Sequence, residues 1–299
     1  MTATLRHFMQ TLTGWLGRGL SFALFYSPRW IRQTIAWTLA TLWFDVLRIR
    51  RQVVLDNLHL AFPQMSHTDR VRMGRRSLYN LGLNLVEYCY LPWLSHSNYQ
   101  RYFRIETPEV LERSLAKGKG VLLLTLHLGH GDLGCAALSL HGFPMVMVSK
   151  VFKLRWLNDL WFGMRERLGT RFIAPRDSSY ALLKALKQKR VVIIPLDQFT
   201  GPPIGVRTSF FGVETGTAAG LAVMAGRSGA PVVSCYTFRD RDGTHVLRFE
   251  REIEVERSRS EQEIAAVTQS FNDELEKYVR LYPDQWMWIH RRWKRFVVQ

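Results

Sequence analysis

The sequence predicts an α/β protein with a largely parallel central sheet flanked by helices, and three observations lead there. From Val121 onward, short aliphatic or β-branched runs recur: Val121 to Leu126, Met145 to Val148, Val191 to Pro195 and Pro231 to Phe238. Between them lie Lys153 to Leu168, Ser178 to Lys189 and Thr215 to Arg227, each long enough for the crossover helix that parallel strands need. A chain of 299 residues, 47% of them hydrophobic, can also bury the sizeable core such a sheet requires.

The elements before this alternating region have a different texture. Residues 1–60 carry seven arginines (Arg6, Arg18, Arg29, Arg32, Arg48, Arg50, Arg51) against Asp45 and Asp56, interleaved with aromatic and aliphatic residues. That composition suits a membrane surface. The longest apolar stretch, Thr34 to Phe44, is about half of the roughly 20 residues a spanning helix needs, so an interfacial or partly inserted helix is expected. Arg18 interrupts the apolar region where a cleaved signal peptide would need continuity. We therefore read residues 1–60 as an N-terminal helical membrane-associating segment and 61–299 as the α/β domain. Ser66-His-Thr-Asp69 opens a helix with Ser66 as cap, continued by Leu78, Leu81 and Leu85 at helical spacing and stopped by Pro92. Val246 to Val255 alternates and predicts a mixed edge of the sheet. A last helix spans Glu261 to Tyr282, followed by a basic, aromatic tail.

The net charge of +16 calls for an anionic partner: nucleic acid, an anionic membrane, or acidic substrates and carriers. Ten Trp and seventeen Phe without arginine-rich arms argue against nucleic acid and for a lipid headgroup layer. Cys89, Cys135 and Cys235 are an odd number in apolar runs without Cys-x-x-Cys spacing. They read as buried free thiols of a reducing compartment, with no metal framework.

One loop carries the chemistry. Leu126-His-Leu-Gly-His-Gly-Asp-Leu-Gly134 follows a strand and opens a helix, and it fits two motifs. As Gly129-x-Gly131-x-x-Gly134 it matches a dinucleotide fingerprint, but the acidic residue expected about 20 positions on is replaced by Ser149 and Lys150. As His127-x4-Asp132 it places an imidazole at a strand's carboxyl end, with a carboxylate across one tight turn. The second His-x4-acid match, His245 to Glu250, lies within an alternating strand, where the odd offset points the two side chains to opposite faces.

Around this dyad the chain resembles the lysophospholipid acyltransferase superfamily, and within it the late acyltransferases of lipid A biosynthesis. Similar to that family are Arg51-x5-Asn57-Leu-x-x-Ala61-Phe-Pro63, the dyad, and Leu157-Asn-Asp159 after Lys150. So are Leu186-x5-Val192-x-x-Pro195-x-Asp197-Gln198, Phe210-Phe-Gly212 followed by Thr215-Gly-Thr-Ala218, and Pro283-x-Gln285-Trp-Met-Trp-x-His290-Arg291-Arg292. Most members carry Glu where this chain has Asp132. The resemblance implies acyl transfer from an acyl carrier protein or coenzyme A thioester to a hydroxyl of an anionic lipid A-type glycolipid, at the cytoplasmic face of a bacterial inner membrane. No cofactor beyond the thioester co-substrate is implied.

In that chemistry His127 is the expected general base, because a hydroxyl attacks a thioester efficiently only as its proton is removed. Asp132 is expected to accept the other ring N–H and fix the tautomer, as the acid does in a Ser-His-Asp triad. Asp197, again at a strand's carboxyl end, is a candidate to order the site or an arginine. Lys150, Arg165 and Arg167 are the expected contacts to an acceptor phosphate, and the resemblance adds His290, Arg291 and Arg292 as substrate-binding positions.

Overall fold

The computed structural model describes residues 3–149, 155–173, 178–256 and 260–296. Four helices come first: α1 (Ala3–Tyr26), α2 (Arg29–Thr41), α3 (Arg51–Ala61) and α4 (His67–Glu87). Then follow β1 (Phe103–Glu106), α5 (Pro108–Ala116), β2 (Val121–Thr125), α6 (Gly131–His141), β3 (Met145–Val148), α7 (Arg155–Glu166) and β4 (Arg171–Ile173). The chain continues through α8 (Ser178–Lys187), β5 (Val191–Pro195), β6 (Gly205–Phe210), β7 (Val213–Ala218), α9 (Gly220–Ser228), β8 (Val232–Arg239), β9 (His245–Ile253) and α10 (Glu261–Leu281).

Among the described residues, seven strands form one sheet in the order β1-β9-β8-β2-β5-β3-β4, with only the β8–β9 pair antiparallel. The predicted parallel sheet with flanking helices is therefore present. Strand β2, Val-Leu-Leu-Leu-Thr, is buried at every position, as a central strand covered on both faces must be.

Three sequence expectations are corrected. Strand β9 is not an edge, because β1 pairs beyond it. The segment Thr215 to Ala218 belongs to β7, which pairs with β6 in a separate hairpin, and the helix begins only at Gly220. Threonines at 215 and 217 favour a strand because a β-branched side chain fits a pleated surface. Helix α4 is capped by Ser66, whose hydroxyl accepts from the Asp69 N–H, but it ends at Glu87, ahead of Pro92.

One sheet face and helices α3, α4, α8, α9 and α10 share a core in which Phe44, Val54 and Leu58 join Leu122, Val192 and Trp286. Helix α3 thus crosses the boundary drawn after residue 60 and packs with the sheet. Of the seventeen large apolar side chains exposed among the described residues, twelve lie between Leu16 and Ile49, so the outer surface of the first helices is unusually greasy. Among the described residues, no helix is long and apolar enough to cross a membrane.

Candidate active site

The site follows from strand register. Strands β2 and β5 are parallel neighbours with Thr125 opposite Pro195, and each chain continues two residues further to a polar side chain. Those side chains are His127 and Asp197. His127 Nδ1 donates to Asp197 Oδ1 at 2.7 Å, and the His127 backbone N–H donates to Oδ2 at 3.0 Å. Trp286 Nε1 adds a third donor to Oδ2 at 2.7 Å. Burial disfavours the charged form of Asp197, yet the His127 charge and these donors outweigh it and hold its pKa down at about 2. An ionised Asp197 requires the proton on Nδ1, which leaves a lone pair on Nε2. For His127 itself burial works against the imidazolium, but Asp197, assisted by the charge of Asp132, raises its pKa above the ordinary value. The His127 side chain keeps 34% of its surface accessible whereas Asp197 keeps 3%, so the base is reachable and its partner is not.

Asp132 is therefore corrected as the hydrogen-bonding partner of His127. It sits in the first turn of α6 and instead receives the Arg165 guanidinium and the Tyr88 hydroxyl. Arg165 is buried and stacks on Trp161, 4.2 Å from its centroid. A buried guanidinium demands a counter-charge, and Asp132 supplies it; toward His127 it acts through charge alone.

The loop glycines answer to packing. Gly129 has φ +58°, and a Cβ there would lie 2.5 Å from the Thr237 carbonyl oxygen; a Cβ on Gly134 would meet the Thr237 side chain at 2.8 Å. Gly131 faces open space. Two of the three fingerprint glycines thus bring the turn against β8. The turn is also held by Asn84 Nδ2, which donates to Gly129 O at 2.6 Å, and by Thr237 Oγ1, which donates to Leu128 O at 2.5 Å.

The C-terminal tail pairs with this turn. Met287 N–H donates to His127 O, Gly129 N–H donates to Gln285 O, and Leu128 forms an antiparallel bridge with Trp286. Arg292 is fully buried, donating to Gln198 O at 3.0 Å, Gly216 O at 2.8 Å and Thr217 Oγ1 at 2.8 Å. Its predicted substrate contact is corrected accordingly: it positions Gln198, whose Nε2 lies 3.4 Å from His127 Nε2. Arg291 is exposed. His290 is half-buried, and burial, with the nearby charge of His127 adding to it, lowers its pKa. Arg167 donates to the carbonyls of Leu91 and Pro92. Lys150 lies outside the described residues.

His127, Gly131 and Asp132 open onto a cavity of about 480 Å³. Its walls are mainly apolar, including Leu78, Leu81, Met147, Ile193 and Trp286, and its exposed residues Leu39, Trp43 and Leu85 come from α2, the turn after it and α4. Cys135 also lines it; burial raises the thiol's pKa, so it stays protonated and is a poor nucleophile. Sequence reasoning missed Asn84 and Tyr88. Their one-turn spacing around Glu87, where the run from Leu81 to Val86 closing α4 is mostly apolar, was the available signal.

Comparisons with known proteins set the class: the chain is an acyltransferase, as its family and relatives show. The family model "Bacterial lipid A biosynthesis acyltransferase" matches residues 2–295, and the chain belongs to that family. It is similar to the lipid A biosynthesis lauroyltransferase of Escherichia coli strain K12, 26% identical over 283 residues, covering 94% of this chain and 90% of that protein. The lipid A biosynthesis palmitoleoyltransferase of the same strain is 26% identical over 282 residues, with the same two coverages. A phosphatidylinositol mannoside acyltransferase of Mycolicibacterium smegmatis is 24% identical over 207 residues, 68% of this chain and 66% of that protein.

Proposed function

We propose that this acyltransferase moves a fatty acyl group from an acyl carrier protein or coenzyme A thioester to a hydroxyl of a lipid A-type glycolipid at the cytoplasmic face of the bacterial inner membrane. The observation that carries the reading is the His127–Asp197 pair at the opening of the apolar cavity. The thioester's acyl chain lies in the cavity, with its carbonyl beside His127. The acceptor hydroxyl displaces the Gln198 amide from Nε2, gives its proton to that nitrogen and attacks the carbonyl. The tetrahedral intermediate collapses by breaking the C–S bond, and the imidazolium returns the proton to the departing thiolate. Asp197 keeps Nδ1 protonated and stabilises the imidazolium; the charge of Asp132 assists. The backbone N–H groups opening α6 at Gly131 are suited to receive the oxyanion.

Exposed Arg167 and Arg291, together with Lys150, meet the acceptor's phosphate, while buried Arg165 and Arg292 position Asp132 and Gln198. Membrane association uses the apolar surface between Leu16 and Ile49, and Leu39 and Trp43 on that surface also reach the cavity, so a lipid chain can enter directly from the membrane. The positive chain suits an acidic carrier protein as donor.

The test is incubation of the detergent-solubilised protein with labelled acyl carrier protein or acyl coenzyme A and a panel of phosphorylated and dephosphorylated lipid A precursors and other lipid acceptors. A new O-acyl ester on the phosphorylated precursor is the expected product. Transfer only to a different lipid class contradicts the acceptor assignment.

A further inference from the structure

A second cavity lies on another face of α4. The reaction cavity uses Leu78, Leu81 and Leu85, whereas the second uses Tyr79, Asn80, Leu83 and Glu87. Its volume is about 260 Å³, below the roughly 300–1,000 Å³ of pockets that take drug-sized ligands. Its other walls come from α2, from the segment between α4 and β1 and from the β8–β9 turn with its flanking residues, and its lining is predominantly polar.

The charge in this cavity is unbalanced. Four arginines (Arg29, Arg32, Arg101, Arg239) face two carboxylates (Glu87, Asp242), a net charge of +2 with histidine neutral. The floor is internally neutral: Arg239 forms a two-pronged pair with Glu87, at 2.6 and 2.5 Å, and His245 Nε2 lies 3.1 Å from the same carboxylate. The rim is not. Arg29 donates to the carbonyls of Arg241 and Asp242, and Arg32 donates to those of Ser27 and Leu24 while lying over the Tyr90 ring. The Arg101 side chain has no hydrogen bond or ion pair among the described residues; its backbone N–H donates to Asn98 O. None of the three has a carboxylate partner among the described residues, although this protein pairs many of its other arginines with acids.

We propose that this cavity is a binding site for a phosphate group, distinct from the acyl-transfer site. Three rim guanidiniums unpaired with any carboxylate, over a neutral polar floor, offer the planar donor arrays that phosphate oxygens accept. Phosphate of either charge state is compensated by the +2 cavity. The phosphate can be that of a lipid headgroup or free in solution. The setting favours the headgroup, because Arg29 is flanked in the chain by the exposed Tyr26 and Trp30, residues suited to a headgroup layer. The site is joined to the His127 turn through Asn84, which accepts from Arg239 Nη2 at 2.9 Å and donates to Gly129 O.

The test measures binding of dihexanoyl phosphatidic acid to the full chain in detergent by titration calorimetry, with no acyl donor present, so its outcome is independent of the transfer reaction. Inorganic phosphate and dihexanoyl phosphatidylcholine are run in parallel. The expected result is that phosphatidic acid binds and that Arg32→Gln with Arg101→Gln weakens it by about tenfold or more, the scale of losing charge-assisted bonds. Arg207→Gln, on β6, leaves it unchanged. Displacement by inorganic phosphate at matching concentration assigns the site to free phosphate; resistance to displacement assigns it to the lipid headgroup. If the double variant melts early, Arg101→Gln alone decides, because that side chain has no bond to lose. Binding as tight in the arginine variants as in the unaltered protein, or phosphatidylcholine binding as tightly as phosphatidic acid, overturns the proposal.

Discussion

His127 and Asp197 lie 70 positions apart in the chain, yet their side chains meet at 2.7 Å because each stands two residues beyond a matched pair on adjacent parallel strands. Asp132, five positions from His127, bonds to Tyr88 and Arg165 instead. The division of labour between the two carboxylates has measurable consequences.

His127 accepts a proton only when neutral, so activity falls as pH drops through its pKa, which lies above the ordinary value of about 6.5. Asp197→Asn removes the strongest influence raising that pKa, so the acid limb of kcat/KM moves to lower pH while the plateau drops about 10²–10⁴-fold. Asp132→Asn moves the limb in the same direction but less far, since its charge is the weakest of the raising influences. A pH–rate series on both variants checks the order; a larger displacement in the Asp132 variant contradicts it.

Gly129 and Gly131 should respond oppositely to alanine. At Gly129 a left-handed backbone costs about 1–2 kcal/mol for a non-glycine residue, and the Thr237 carbonyl adds a clash, so Gly129→Ala lowers both stability and turnover. Gly131→Ala meets nothing and keeps the fold. Thermal melting of the two proteins side by side is sufficient; equal melting temperatures count against the packing role.

Arg239→Met leaves the Glu87 carboxylate buried beside His245 without its guanidinium, at a cost of about 3–5 kcal/mol. Adding Glu87→Gln removes the uncompensated charge and recovers part of the loss. Denaturant unfolding of the single and double variants reads this directly, and a single variant as stable as the unaltered protein refutes it.

Replacing Leu20, Trp30 and Leu47 together by serine removes exposed apolar surface without opening the core. Partitioning onto anionic vesicles in a flotation assay should weaken by more than about tenfold, because each such side chain contributes on the order of 1.5–3 kcal/mol when fully buried. Undiminished flotation places the attachment elsewhere, with the basic tail next to be tested.

Much of the sheet was legible because its strands are short apolar runs: Met145 to Val148 and Val191 to Pro195 have the bounds expected from the sequence. The hairpin β6–β7 was not, since Thr215 to Ala218 is small and polar and its partner strand carries no strong alternation. At the site, both Asp197 and Asp132 stood out as carboxylates at element ends, but which one reaches His127 depends on β2 and β5 being neighbours. Strand order is a tertiary property that a local motif does not encode. Arg292 stood out in the sequence, but as a substrate-binding position of the C-terminal motif; its burial depends on Thr217, Asn272 and Phe210 closing around it.

The most direct test of the account is the rate of acyl transfer by His127→Ala, measured with labelled acyl carrier protein and a phosphorylated lipid A precursor, on protein shown to melt and float as the unaltered chain does. Loss of the general base predicts a fall of at least about 10²–10⁴-fold in turnover. Turnover within about threefold of the unaltered protein, far short of that range, would remove His127 from the mechanism.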